Sequence, residues 1–452
     1  MRSHSLSAVL LLLLPLSAAA HSFGVVYTLP IPFWLYAWGA AAALLASFGV
    51  VGLFASGQRD ALAPVALPAR YPHQLPARLL ALLRTGSVLI LGLCIATGWW
   101  GTANPYANFN MTFFWIVFVL GYAYLTALIG DLYALINPWV VLTGLLTRAW
   151  PAYGRGRWAY PARLGYWPAT LLYMGFIWFE LFGQSKPFSL ASALAAYTLL
   201  NLIAVFAVGA RDWFRYGEFL SVMLRQIARM APVEYALGAD GGTARAFRLR
   251  WPFAGLLQPR DEHPSLLVFV LFMLSSTAYD GLHEAAAWVK LFWVDLYQGA
   301  LTGWLGINPV AAFPVLWKLY KWWQAAWLLL SPFIYLLIYW AGIALVQRAG
   351  GGLHTRRELA LRFLPSLLPI VLVYHITHYF TLIQTQGFKI IALASDPFGR
   401  GWNLFGTAAW FRGALIPDLT VVWHVQVVLI VLGHILSVYV AHLEALRIYH
   451  DR

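Results

Sequence analysis

Two stretches of this sequence put titratable side chains close enough together to do chemistry. Tyr374-His375-Ile376-Thr377-His378-Tyr379 spaces two imidazoles three residues apart, on one face of a helix and one turn from each other. Asp280-Gly281-Leu282-His283-Glu284 sets two carboxylates around a third imidazole, and His424 follows Trp423 in another apolar stretch. Neutral imidazole suits zinc, copper, nickel and iron, and carboxylates complete such shells. His375, His378, His424 and His283 are therefore expected as ligands of a divalent transition metal, zinc or copper, with one position left open for water. Asp280 and Glu284 are expected as catalytic groups, serving as general base or holding a second metal. The same imidazoles also fit a different protein, a copper or zinc transporter, with His434 and His442 continuing the series along the last apolar stretch. A lone histidine in such a stretch more often bonds a neighbouring helix than a metal. The case for a site therefore rests on the clustering.

The elements that must carry these residues follow from composition. The 452 residues are 61% hydrophobic, 16% aromatic and only 10% charged. Soluble domains carry about 25% charged residues, so a soluble globular fold is excluded. Disorder and a disulfide scaffold are excluded too, since apolar content is high and Cys94 is the only cysteine. The expected fold class is all-α, a polytopic transmembrane helix bundle.

Residues 1–20 read as a secretory signal peptide, with Arg2, an apolar run from Ala8 to Leu14 and small residues Ser17 to Ala20. An uncleaved anchor is the alternative. Cleavage after Ala20 makes His21 the first mature residue, either a chelating terminus for copper or simply the place where the signal ends. The rest, 21–452, is expected as a single helical domain.

Spanning helices need about 20 mostly apolar residues. Nine stretches qualify: 32–54, 79–99, 111–130, 166–183, 189–209, 264–282, 323–346, 362–385 and 421–443. With the mature N-terminus outside, 22 of the 30 Lys and Arg fall on the inner side, including a basic loop at 210–263, and seven outside. Positive residues accumulate on the cytoplasmic face, so the net charge of +13 is topological and calls for no nucleic-acid partner. The expected location is the bacterial inner membrane, with the C-terminus cytoplasmic. Asn137-Pro138 should break 131–147 into a re-entrant piece. Residues 216–236 suggest a basic amphipathic helix on the inner surface. The Trp-rich segments 284–322 and 386–420 suggest a partly helical outer cap. The histidines and carboxylates of interest then share the outer leaflet, and a broad aromatic surface leaves room for a partner subunit.

The sequence resembles bacterial polytopic membrane proteins that carry the name fenitrothion hydrolase. The likeness runs from Ala20-His21-Ser22-Phe23-Gly24, through Gly130-Asp131-Leu132 with Asn137-Pro138-Trp139, and Phe176-Ile177-Trp178-Phe179-Glu180. It is strongest at Tyr374 to Phe380 and at Ser395-Asp396-Pro397-Phe398-Gly399-Arg400-Gly401-Trp402, continuing to Thr407. That resemblance implies hydrolysis of an organophosphorus triester, a small apolar substrate that partitions into the bilayer. It supplies no catalytic residues.

Overall fold

The computed structural model describes residues 71–183, 185–237, 243–258, 262–301, 309–411, 413 and 418–449. The signal segment, His21 and the expected span 32–54 lie outside them. Ten helices organise the rest: α1 (Ala77–Trp100), α2 (Phe109–Ile129), α3 (Pro138–Ala149), α4 (Trp167–Phe182), α5 (Pro187–Val208), α6 (Phe219–Ile227), α7 (Ser265–His283), α8 (Pro309–Ala349), α9 (Arg356–Gly387) and α10 (Leu419–Ile448). Seven of these, α1, α2, α5 and α7 to α10, are long and apolar enough to cross a membrane. The chain is an all-α membrane protein.

Three expectations change. The helix at 166–183 forms as α4, but its 16 residues extend about 24 Å, short of a hydrocarbon core of about 30 Å. The span expected at 323–346 begins earlier, at Pro309, and takes in residues assigned to the cap. The surface helix expected over 216–236 is instead α6, nine residues long and buried on almost every side, followed by a strand. Arg225 of α6 and Arg229 in the turn after it are used internally. Arg225 donates to the Phe214 carbonyl, and Arg229 donates to the carbonyls of Gly255, Leu256 and Gln258. Arg229, 4% exposed, is thereby withdrawn from any surface.

Helix α7 is the central pillar. Its sequence is apolar on all sides, the pattern of a buried helix, and 78% of its apolar window is buried, against 11% for α1 and 17% for α8 and α10. It packs on α4, α8 and α9. Ser331 donates to Ser275, and the Tyr279 hydroxyl donates to the Gln324 carbonyl, tying α7 to α8. At one end of the bundle a small antiparallel sheet in the order β1 (His73–Gln74), β3 (Thr243–Leu249), β2 (Val233–Leu237) joins the start of α1 to the α6–α7 connection. At the other end, residues 389–407 cover the α1–α2 turn, where the Thr102 amide donates to the Phe398 carbonyl.

The break at Asn137-Pro138 forms as expected. Asn137 caps α3 by accepting from the amides of Trp139 and Val140. Glu218 does the same for α6 through Leu220 and Ser221. The two caps meet, because Asn137 Nδ2 donates to Glu218 Oε2 at 3.3 Å. Two helix N-termini, each with partial positive charge, thus converge on one fully buried carboxylate.

Candidate functional site

The C-terminal part of α7 and the middle of α9 meet at Asp280. This residue is 2% exposed, and a carboxylate withdrawn from water is costly unless charge-matched and hydrogen-bonded. Hydrogen bonds to it come from α9. His378 Nε2 lies 2.8 Å from Asp280 Oδ2, and the Tyr379 hydroxyl donates to the same oxygen at 2.5 Å. Adjacent residues on a helix point about 100° apart. Asp280 therefore sits in the notch between two successive side chains. Because Nε2 donates to the carboxylate, Nδ1 keeps the lone pair. The His378 side chain is 31% exposed, so its ring connects a buried carboxylate to the surroundings.

The other expected ligands point elsewhere. His375 turns toward α2, where the Tyr124 hydroxyl stands 3.0 Å from its Nδ1. His283 is buried, with Nδ1 2.7 Å from the Asp280 carbonyl and 3.9 Å from its carboxylate. Glu284 is exposed at the end of α7. His424 is exposed on α10, bonded through Nδ1 to the Thr420 carbonyl of its own helix. The reason lies at Gln426, whose side chain donates to the Thr377 carbonyl of α9. A residue two positions earlier points about 200° away, so His424 cannot also face α9. Among the described residues no three His, Cys, Asp or Glu side chains stand together as a metal-binding set. The four imidazoles expected as shared ligands are not brought to one point.

Two spaces lie within the bundle. A cavity of about 30 Å³ is bordered by Tyr124, Glu180 and His375 among apolar side chains, with room for about two water molecules. A larger groove of about 370 Å³ runs between α4 and α5, floored by Trp139, Phe219 and Leu220. It has no charged lining residue, so its contribution is shape alone.

No family model, curated protein or solved structure matches this chain. The sequence signalled Asp280, His378 and His375 correctly as polar residues in apolar surroundings. It gave less warning of Tyr379 and Tyr124, because a tyrosine in a membrane helix looks like part of an interface belt. Glu218 was hidden inside a stretch whose periodicity suggested a surface helix.

Proposed function

We propose that this protein is a membrane-bound hydrolase of neutral, apolar organophosphorus triesters, with His378 as general base and Asp280 as its orienting carboxylate. The observation that carries this reading is the 2.8 Å contact between a buried carboxylate and a partly exposed imidazole. That pairing fixes the tautomer, leaves Nδ1 as the acceptor and stabilises the imidazolium that forms. Water attacks phosphorus, its oxygen forming the new P–O bond as its proton passes to His378 Nδ1. The bond to the aryl oxygen breaks, and the aryloxide leaves with the electron pair. A nitrophenolate is a good leaving group, so no strong general acid is required.

The resemblance to fenitrothion hydrolases supports the substrate class, and the seven apolar helices suit a substrate dissolved in the bilayer. The arginine distribution supports an inner-membrane orientation with the Asp280 end outside and the C-terminus in the cytoplasm. The test is release of 4-nitrophenolate from diethyl 4-nitrophenyl phosphate by protein in vesicles. His378→Ala is expected to lower kcat by about 10²–10⁴, the usual contribution of a positioned base. Asp280→Asn is expected to lower kcat with little change in KM. His424→Ala, which faces away, is expected to stay within about twofold of the native rate. Native turnover by His378→Ala at normal expression would overturn the assignment.

A further inference from the structure

At the end of the bundle opposite Asp280, two backbone segments that carry exposed arginines meet. Loop residues Arg157 and Trp158 donate their amides to the carbonyls of Phe206 and Ala207 at the end of α5. The approach is close enough to require glycine on both sides. A Cβ on Gly156 would lie 2.3 Å from the Gly209 nitrogen, and one on Gly209 would lie 2.8 Å from the Arg155 carbonyl oxygen. Both glycines have positive φ, 76° and 87°, a conformation that disfavours any side chain. The junction brings the backbone of Arg155 and Arg157 against Gly209, two residues before Arg211, and the Arg157 guanidinium rests over the Phe206 ring at 5.6 Å. Farther along, Arg215 lies over the Tyr216 ring, which stacks on Tyr160 of the same loop.

All four arginines are exposed, and none forms an ion pair with a carboxylate among the described residues, although Asp212 lies within the same turn. Trp150 and Trp158 flank them, 55% and 66% exposed. Guanidinium groups match phosphate oxygens in paired hydrogen bonds. Tryptophan favours the depth at which lipid headgroups sit. An exposed basic surface at helix ends, with indoles beside it, is suited to an anionic lipid more than to a soluble anion.

We propose that Arg155, Arg157, Arg211 and Arg215 form a binding site for the phosphodiester headgroup of an anionic phospholipid. The charge complementarity is local. It depends on the glycine-enforced junction and not on the basic character of that whole face.

The test is native mass spectrometry of the delipidated full chain in detergent, titrated with phosphatidylglycerol or phosphatidylcholine. The expected result is at least tenfold greater retention of phosphatidylglycerol, and loss of that preference in the triple variant Arg155→Gln, Arg157→Gln, Arg211→Gln. Arg215→Gln alone, a milder change, is expected to reduce the preference in part. The paired variant Arg356→Gln, Arg357→Gln removes charge elsewhere on the same face and is expected to retain it. An equal loss in that control would show a diffuse field and overturn the site. So would the absence of a headgroup preference, or tight binding of inorganic phosphate or a soluble polyanion without one.

Discussion

Replacing Glu218 with alanine should destabilise the protein through identifiable lost bonds. The carboxylate accepts from the amides of Leu220 at 3.1 Å and Ser221 at 2.7 Å, from the Tyr197 hydroxyl at 2.5 Å and from Asn137 Nδ2 at 3.3 Å. Losing a helix cap costs about 0.5–2 kcal/mol, and stranding a buried hydroxyl costs about 1–3 kcal/mol. Asn137 loses less, because its Nδ2 also donates to the Ser221 hydroxyl. The total is about 2–5 kcal/mol. At about 2 °C per kcal/mol, the lower figure appropriate to a long chain, the melting temperature should fall by about 4–10 °C. Glu218→Gln keeps one accepting oxygen and nearly the same shape, so its cost should be about 1–2 kcal/mol, a fall of about 2–4 °C. Melts of detergent-purified protein followed by tryptophan fluorescence measure both. The reasoning is refuted if the alanine variant melts with the native protein, or if the glutamine variant is equally damaged. The effect matters for the site region because Met223 and Ile227 of α6 line the small cavity beside His375.

Two further substitutions test the balance between buried and exposed polar contacts. Trp213→Phe removes the donor to Asn201 Oδ1, a 2.7 Å bond between buried groups, and should cost about 1–3 kcal/mol in the same melts. Arg362→Met removes a 2.8 Å contact with Glu444 that joins α9 to α10. The arginine side chain is 36% exposed, so the loss should stay below about 1 kcal/mol and shift the melting temperature by less than Trp213→Phe.

The long helices were legible in the sequence because a bilayer requires long uninterrupted apolar runs, and α1, α2, α5, α7, α9 and α10 contain stretches marked on that ground. The break at Asn137-Pro138 was legible because proline cannot continue a helix from the residue before it without losing a backbone bond. The fate of 216–236 was not. Periodicity places Arg225 and Arg229 on a polar face, but it cannot reveal that folded carbonyls elsewhere will accept their hydrogen bonds. The true length of α8 was also hidden, since its first turns are as aromatic as a cap.

At the candidate site the division is sharper. The sequence by itself determined that Asp280, His375 and His378 lie in apolar helices, where ionisable groups are expensive and must find partners. Their spacing along each chain segment followed from helix geometry. Which partner each would find was decided by the rotation of one helix against another, and spacing within a helix carries no information about that. Gln426 facing α9 turns His424 outward. Tyr124 takes His375 toward α2, and from α9 it is His378, with Tyr379, that reaches the Asp280 carboxylate. An expected set of four imidazoles is thereby replaced by one carboxylate–imidazole pair, because contacts between helices fix orientation and composition does not.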